Sequence, residues 1–104
     1  MAHHEIPVVI QEGIPVPQIA SAGSIFVGDT VSYTSEDGEV TIEFELPFSN
    51  VTDVIREGET RQMTRAGNFF CKCYLRLPSG SQIGWSPDRP KAGGEHEVKP
   101  IPQG

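Results

Sequence analysis

The side chains here that can bind a metal or attack a substrate are two cysteines, Cys71 and Cys73, and three histidines, His3, His4 and His96. The cysteines stand two apart in AGNFFCKCYLRL (66–77). In that stretch Phe69, Cys71, Cys73, Leu75 and Leu77 fall on one face of a strand, and Phe70, Lys72, Tyr74 and Arg76 on the other. Two thiolates on one side suit Cu(I) or Zn(II), given further soft or imidazole ligands. Met63, Glu39 and His96 are the arguable donors. The same pair also reads as small core residues, because its companions on that face are all apolar and free Cys is among the most buried residue types. A disulfide between strand positions i and i+2 is strained, so both are expected as free thiols.

The amino-terminal Met-Ala-His-His offers a second metal chemistry. Amine, two amide nitrogens and an imidazole at the third position form a square plane for Cu(II) or Ni(II). His3 occupies that place with Met1 kept, and His4 with Met1 removed. Residues 1–5 are expected to be a flexible tail.

Catalytic groupings are sparse. A Ser-His-acid or Cys-His arrangement needs a His beside the nucleophile, and His96 is the only histidine beyond the tail. It alternates with Glu95 and Glu97 and so points away from both. Glu36 and Asp37 fall in a turn, and Glu43 and Glu45 on a strand face, where they read as solvated charge. Phosphate loops, dinucleotide fingerprints and zinc-finger spacings are missing from the sequence. No catalytic residue and no cofactor are expected. Asn50-Val51-Thr52 matches a glycosylation sequon, which matters in a secreted eukaryotic protein.

A surface is the remaining candidate. Phe70, Tyr74 and Arg76, with Lys72, make a row of aromatic and cationic side chains of the kind enriched at protein interfaces. They can equally pair with Glu43 and Glu45 across strands or fill a second packing layer. Trp85, in QIGWSPDRP, sits in a long proline-stiffened loop, as a partner contact or as a cap over one end of the core.

The whole chain bounds these readings. Its 104 residues are one domain on length. Fourteen acidic against eight basic side chains give −6 with no basic cluster, which speaks against nucleic acid and anionic membrane as partners. No apolar run approaches the roughly 20 residues of a membrane span, and no basic leader precedes an apolar core, so a soluble chain without membrane insertion is expected. Its partner is then expected to be another protein.

Eleven Gly and nine Pro, spread along the chain, suit short strands joined by turns. IPVVIQ (6–11) is a β-branched run, and GIPVPQIA (13–20), broken by Pro15 and Pro17, is an edge strand or an extended connection. Thr30–Thr34 leads to a turn at SEDG, after which Val40, Ile42, Phe44 and Leu46 alternate with Thr41, Glu43 and Glu45. SNVTDVIREGETRQM (49–63) reads as a connection, with one helical turn possible at Val51, Val54 and Ile55 and a turn at REGE. The Cys strand follows, then a turn at PSGS, a brief pairing at QIGW, a loop, and a closing strand EHEVKPI (95–101). About seven short strands predict an all-β sandwich or partly closed barrel.

Three pieces, in order, resemble the cupredoxin family: VGDTVSYT (27–34), AGNFFCKC (66–73) and GEHEVKP (94–100). The resemblance implies a Greek-key, immunoglobulin-like sandwich of two sheets, in a family often exported; an immunoglobulin-like fold is the main competitor. It also implies that Cys73 holds the place of the copper thiolate and Cys71 that of an interior aromatic. The other ligands of a type 1 site are two His and, usually, a weak axial Met. The loop 74–94 contains neither, and the earlier His position falls near Glu39. The expectation is therefore the scaffold without a complete copper site, acting as a non-enzymatic binding or structural module through loops or a sheet edge. A copper-binding or electron-transfer protein with an atypical site around Cys73 is the alternative.

Overall fold

The period-two alternation found in the sequence builds two β-sheets. A computed structural model describes residues 2–45 and 52–101. The smaller sheet contains β1 (His3–Gln11), β2 (Ile14–Pro17), β4 (Thr30–Thr34) and β7 (Arg61–Gln62), in the order β2-β1-β4-β7. In the larger, β3 (Ile25–Phe26), β5 (Glu39–Glu45), β6 (Thr52–Arg56), β8 (Gly67–Arg76) and β10 (Gly93–Lys99) lie in the order β3-β10-β8-β5-β6. A short β9 (Gln82–Gly84) pairs with the far half of β8. The only helical segment among the described residues is a 3-10 turn, Ile19–Ala22.

The inner faces meet in one core. Ile6, Val8, Val31 and Tyr33 pack with Val40, Ile42, Phe44, Ile55, Phe69, Cys71, Cys73, Leu75 and Val98, none more than 5% exposed. Leu77 is partly buried against them. These are the inward residues of the alternating strands, so the removal of their apolar surface from water fixes which face of each strand turns in.

Strand β8 organises the larger sheet. It runs antiparallel to β5 from Phe44↔Cys71 to Glu39↔Arg76. On its other side it pairs first with β10, through Gly93↔Lys72, and then with β9, through Tyr74↔Gly84 and Arg76↔Gln82. The change of partner falls at Cys73, whose N–H donates to Ala92 O (3.1 Å) and whose carbonyl accepts from Trp85 N–H (3.0 Å). Gly93 makes the junction possible. Its φ of +148° is one that other residues avoid, and a Cβ there would run into the Cys71 carbonyl.

The prolines of β2 define the outer edge of the smaller sheet. Proline has no N–H, so the ladder bonds between β1 and β2 run through Val9↔Val16 and Gln11↔Ile14. Pro15 and Pro17, both buried, turn their missing donors outward, and the free edge of β2 offers carbonyls alone.

Three expectations need correction. Residues 3–5 are strand, not flexible tail, and pair in parallel with β4 through His3↔Thr30, His4↔Val31 and Glu5↔Ser32. Within the stretch 49–63, read as a connection with a helical turn, Thr52–Arg56 is a strand with Ile55 buried opposite Ile42. The expected turn follows it, closed by Glu59 N–H to Arg56 O (3.0 Å). Among the described residues ten strands stand where about seven were expected: the brief pairing at QIGW is β9, but β6 lay in the stretch read as a connection, and β3 and β7 have two residues each, too few to show alternation. Met1, Leu46, Val51 and Asn50 of the sequon lie outside the described residues.

Candidate functional site on the outward face of β8

The amino-terminal histidines belong to a clamp. His3 Nδ1 lies 2.7 Å from Thr30 Oγ1, and its Nε2 lies 3.1 Å from Ser32 Oγ. His4 Nε2 donates to Asp29 Oδ2 (2.8 Å). Asp29, 5% exposed, also accepts from Ala2 N–H and Phe26 N–H, both at 3.0 Å. The Ala2 amide, then His4 and then Phe26 hold its carboxyl down at about 2. A square-planar chelate needs this stretch free to wrap an ion, whereas here both imidazoles and the Ala2 backbone are engaged by β4 and the turn before it.

The cysteines lie in the core. Cys71 stands opposite Phe44 and Gly94, Cys73 opposite Ile42, and neither is exposed. Burial pushes both thiols up to about 12, so they remain protonated in neutral water and are not thiolate nucleophiles there. Beside them lies a polar pair that no sequence motif marks. The Tyr33 hydroxyl and His96 Nε2 share a hydrogen bond of 2.8 Å, with both residues at 1% exposure or less. The His96 ring meets the rings of Phe44 and Tyr33 edge-on, with centroids 5.1 and 5.9 Å away. Its Nδ1 is buried with no hydrogen-bond partner among the described residues. Burial lowers His96 to about 4 and raises Tyr33 well above the ordinary phenol range, so the pair is neutral. The available signal was the Glu95-His96-Glu97 alternation, which sends His96 inward whenever the glutamates face water. Among the described residues no three His, Cys, Asp or Glu side chains converge to hold an ion.

The surface candidates come together on the outside of the larger sheet. Phe70 is 39% exposed opposite Glu95; Lys72 stands opposite Glu43, Tyr74 opposite Thr41, and Arg76 opposite Glu39. Trp85 belongs to this face. It follows β9 directly, half-buried, with Lys72 Nζ 4.0 Å above its ring, a cation–π contact. Its backbone bond to Cys73 keeps it beside β8, at the start of the loop in which it was expected. Tyr74 leans on Gly84, where a Cβ would stand 2.7 Å from Cδ1. Burial raises the Tyr74 hydroxyl, and Glu43 adds to the shift. Beyond Tyr74 the face opens into a cleft of about 150 Å³ lined by Glu39, Thr41, Tyr74, Arg76 and Gln82. Sequence alternation placed Tyr74 and Arg76 here; the others arrive through strand register.

Set against family models, curated proteins and solved structures, the chain matches none.

Proposed function

We propose that this chain is a non-enzymatic binding module that recognises another protein through the outward face of β8, on a cupredoxin-like scaffold without a complete copper site. The connections support the scaffold. The chain passes from β4 in one sheet to β5 and β6 in the other, back to β7, and again across to β8, as in a Greek-key sandwich. The absence of a copper role is supported by the surroundings of Cys73, a protonated thiol opposite Ile42, and by His96, whose Nε2 is taken by Tyr33. Cys71, Cys73 and His96, the side chains whose chemistry could serve as nucleophile or base, are all sealed from solvent, which supports a non-enzymatic role.

One observation carries the binding reading: Phe70, Tyr74, Arg76 and Trp85 share one accessible sheet face, with the cation of Lys72 over the indole. Aromatic side chains on a rigid strand supply contact area at low entropic cost, and Arg adds a planar set of hydrogen-bond donors. By contrast, the β2 edge offers no N–H and is poorly suited to strand addition. Purifying the tagged chain from its native source, as wild type and as Phe70→Asp, tests this. A protein that co-purifies with the wild type should be lost with Phe70→Asp while circular dichroism is unchanged. Equal recovery with both chains contradicts the reading.

A further inference from the structure

We infer that the cleft beyond Tyr74 is a carbohydrate-binding site that takes one neutral pyranose ring. This goes beyond the protein-binding reading: the cleft shares Tyr74 and Arg76 with that face, but Phe70 and Trp85 lie outside it and Glu39, Thr41 and Gln82 are its own.

Register assembles the site. Glu39 on β5 and Gln82 on β9 flank Arg76 from either side, and Thr41 and Gly84 flank Tyr74 in the same way. With no side chain at Gly84, the Tyr74 ring rests on its backbone. The volume of about 150 Å³ is room for one small ring and well below the several hundred Å³ of pockets for drug-sized ligands.

The wall chemistry selects the ligand class. Glu39 only accepts when ionised, Arg76 only donates, and Thr41, Tyr74 and Gln82 do both. Among the described residues, none of these five side chains hydrogen-bonds another residue, and Glu39 and Arg76 stand in register without closing an ion pair. Their charges cancel, so a net-charged ligand would leave one wall charge unbalanced. Sugar hydroxyls both donate and accept, so a ring carrying several of them can satisfy acidic, basic and amide walls together. The Tyr74 ring supplies an apolar surface for the C–H face of the sugar. A free amino acid would balance Glu39 and Arg76 but leave Thr41, Gln82 and the aromatic wall unused.

The test is an amide-shift NMR titration of the whole chain with methyl glucopyranoside, methyl galactopyranoside and methyl mannopyranoside, and separately with glycine. At least one glycoside should give saturable shifts at Thr41, Tyr74, Arg76 and Gln82, with a Kd on the order of 1 mM. Glu39→Gln and Gln82→Ala, at exposed positions, should each weaken it about tenfold with the amide spectrum otherwise retained. The inference is overturned if no glycoside gives saturable shifts there, if both variants bind as the wild type does, or if glycine alone produces the pattern. Any of these outcomes leaves the Phe70→Asp comparison standing on its own.

Discussion

His96 should make the fold sensitive to mild acid. In the native state burial holds it at about 4, against an ordinary value of 6.5, so between those limits the unfolded chain binds a proton that the folded chain refuses. Stability therefore rises with pH across this window: it is full above 6.5 and falls progressively as pH drops toward 4. At about 1.4 kcal/mol per unit, the loss reaches about 3 kcal/mol, a large part of a small domain's stability. Urea unfolding followed by Trp85 fluorescence at a series of pH values measures it. Replacing His96 with Leu removes the titrating group and should flatten the profile, whatever the variant's absolute stability. Tyr33→Phe should cost a further 1–3 kcal/mol or so, because it leaves the second imidazole nitrogen unpaired in the core. If wild type and His96→Leu lose stability in parallel between pH 6.5 and 4, His96 is not buried as a neutral group and the reasoning fails.

Asp29 should act in a lower window, because its folded value of about 2 lies below the ordinary 3.8. Its contribution is present above 3.8 and lost as pH falls through 2, and Asp29→Asn should cost about 2 kcal/mol at neutral pH, read from urea midpoints. Cys71 and Cys73 should resist a thiol reagent in the native protein and label only as fast as the chain unfolds; rapid native labelling would place them at the surface. Replacing Pro15 and Pro17 together with Val gives the β2 edge two outward N–H groups, so sedimentation should show more self-association than in the wild type.

The legible parts of the sequence were long alternating runs. β5 and β8 each carry at least seven residues of period two, and their inward positions Val40, Ile42, Phe44, Phe69, Cys71, Cys73 and Leu75 are core. β6 was missed because it is an edge strand with only Val54 and Ile55 as consecutive apolar residues. The amino-terminal strand looked like a tail because its first residues are polar. What orders them is Asp29, 25 residues from His4, which no local pattern reveals. The same limit applies to the sites. Alternation put Phe70, Tyr74 and Arg76 on one face, but the Tyr33–His96 pair spans 63 residues. The cleft depends on β5 and β9 arriving in register on both sides of β8, which turn geometry sets.

The central claim, that the outward face of β8 meets a protein partner, is tested most directly by site-specific photo-crosslinking in the native source. A photoreactive residue at Phe70 or Arg76 on the claimed face is compared with one at Glu12, exposed at the turn between β1 and β2. A discrete cross-linked partner from positions 70 and 76 but not from 12 is the predicted result. No discrete product from 70 and 76, or the same product from 12, would contradict it.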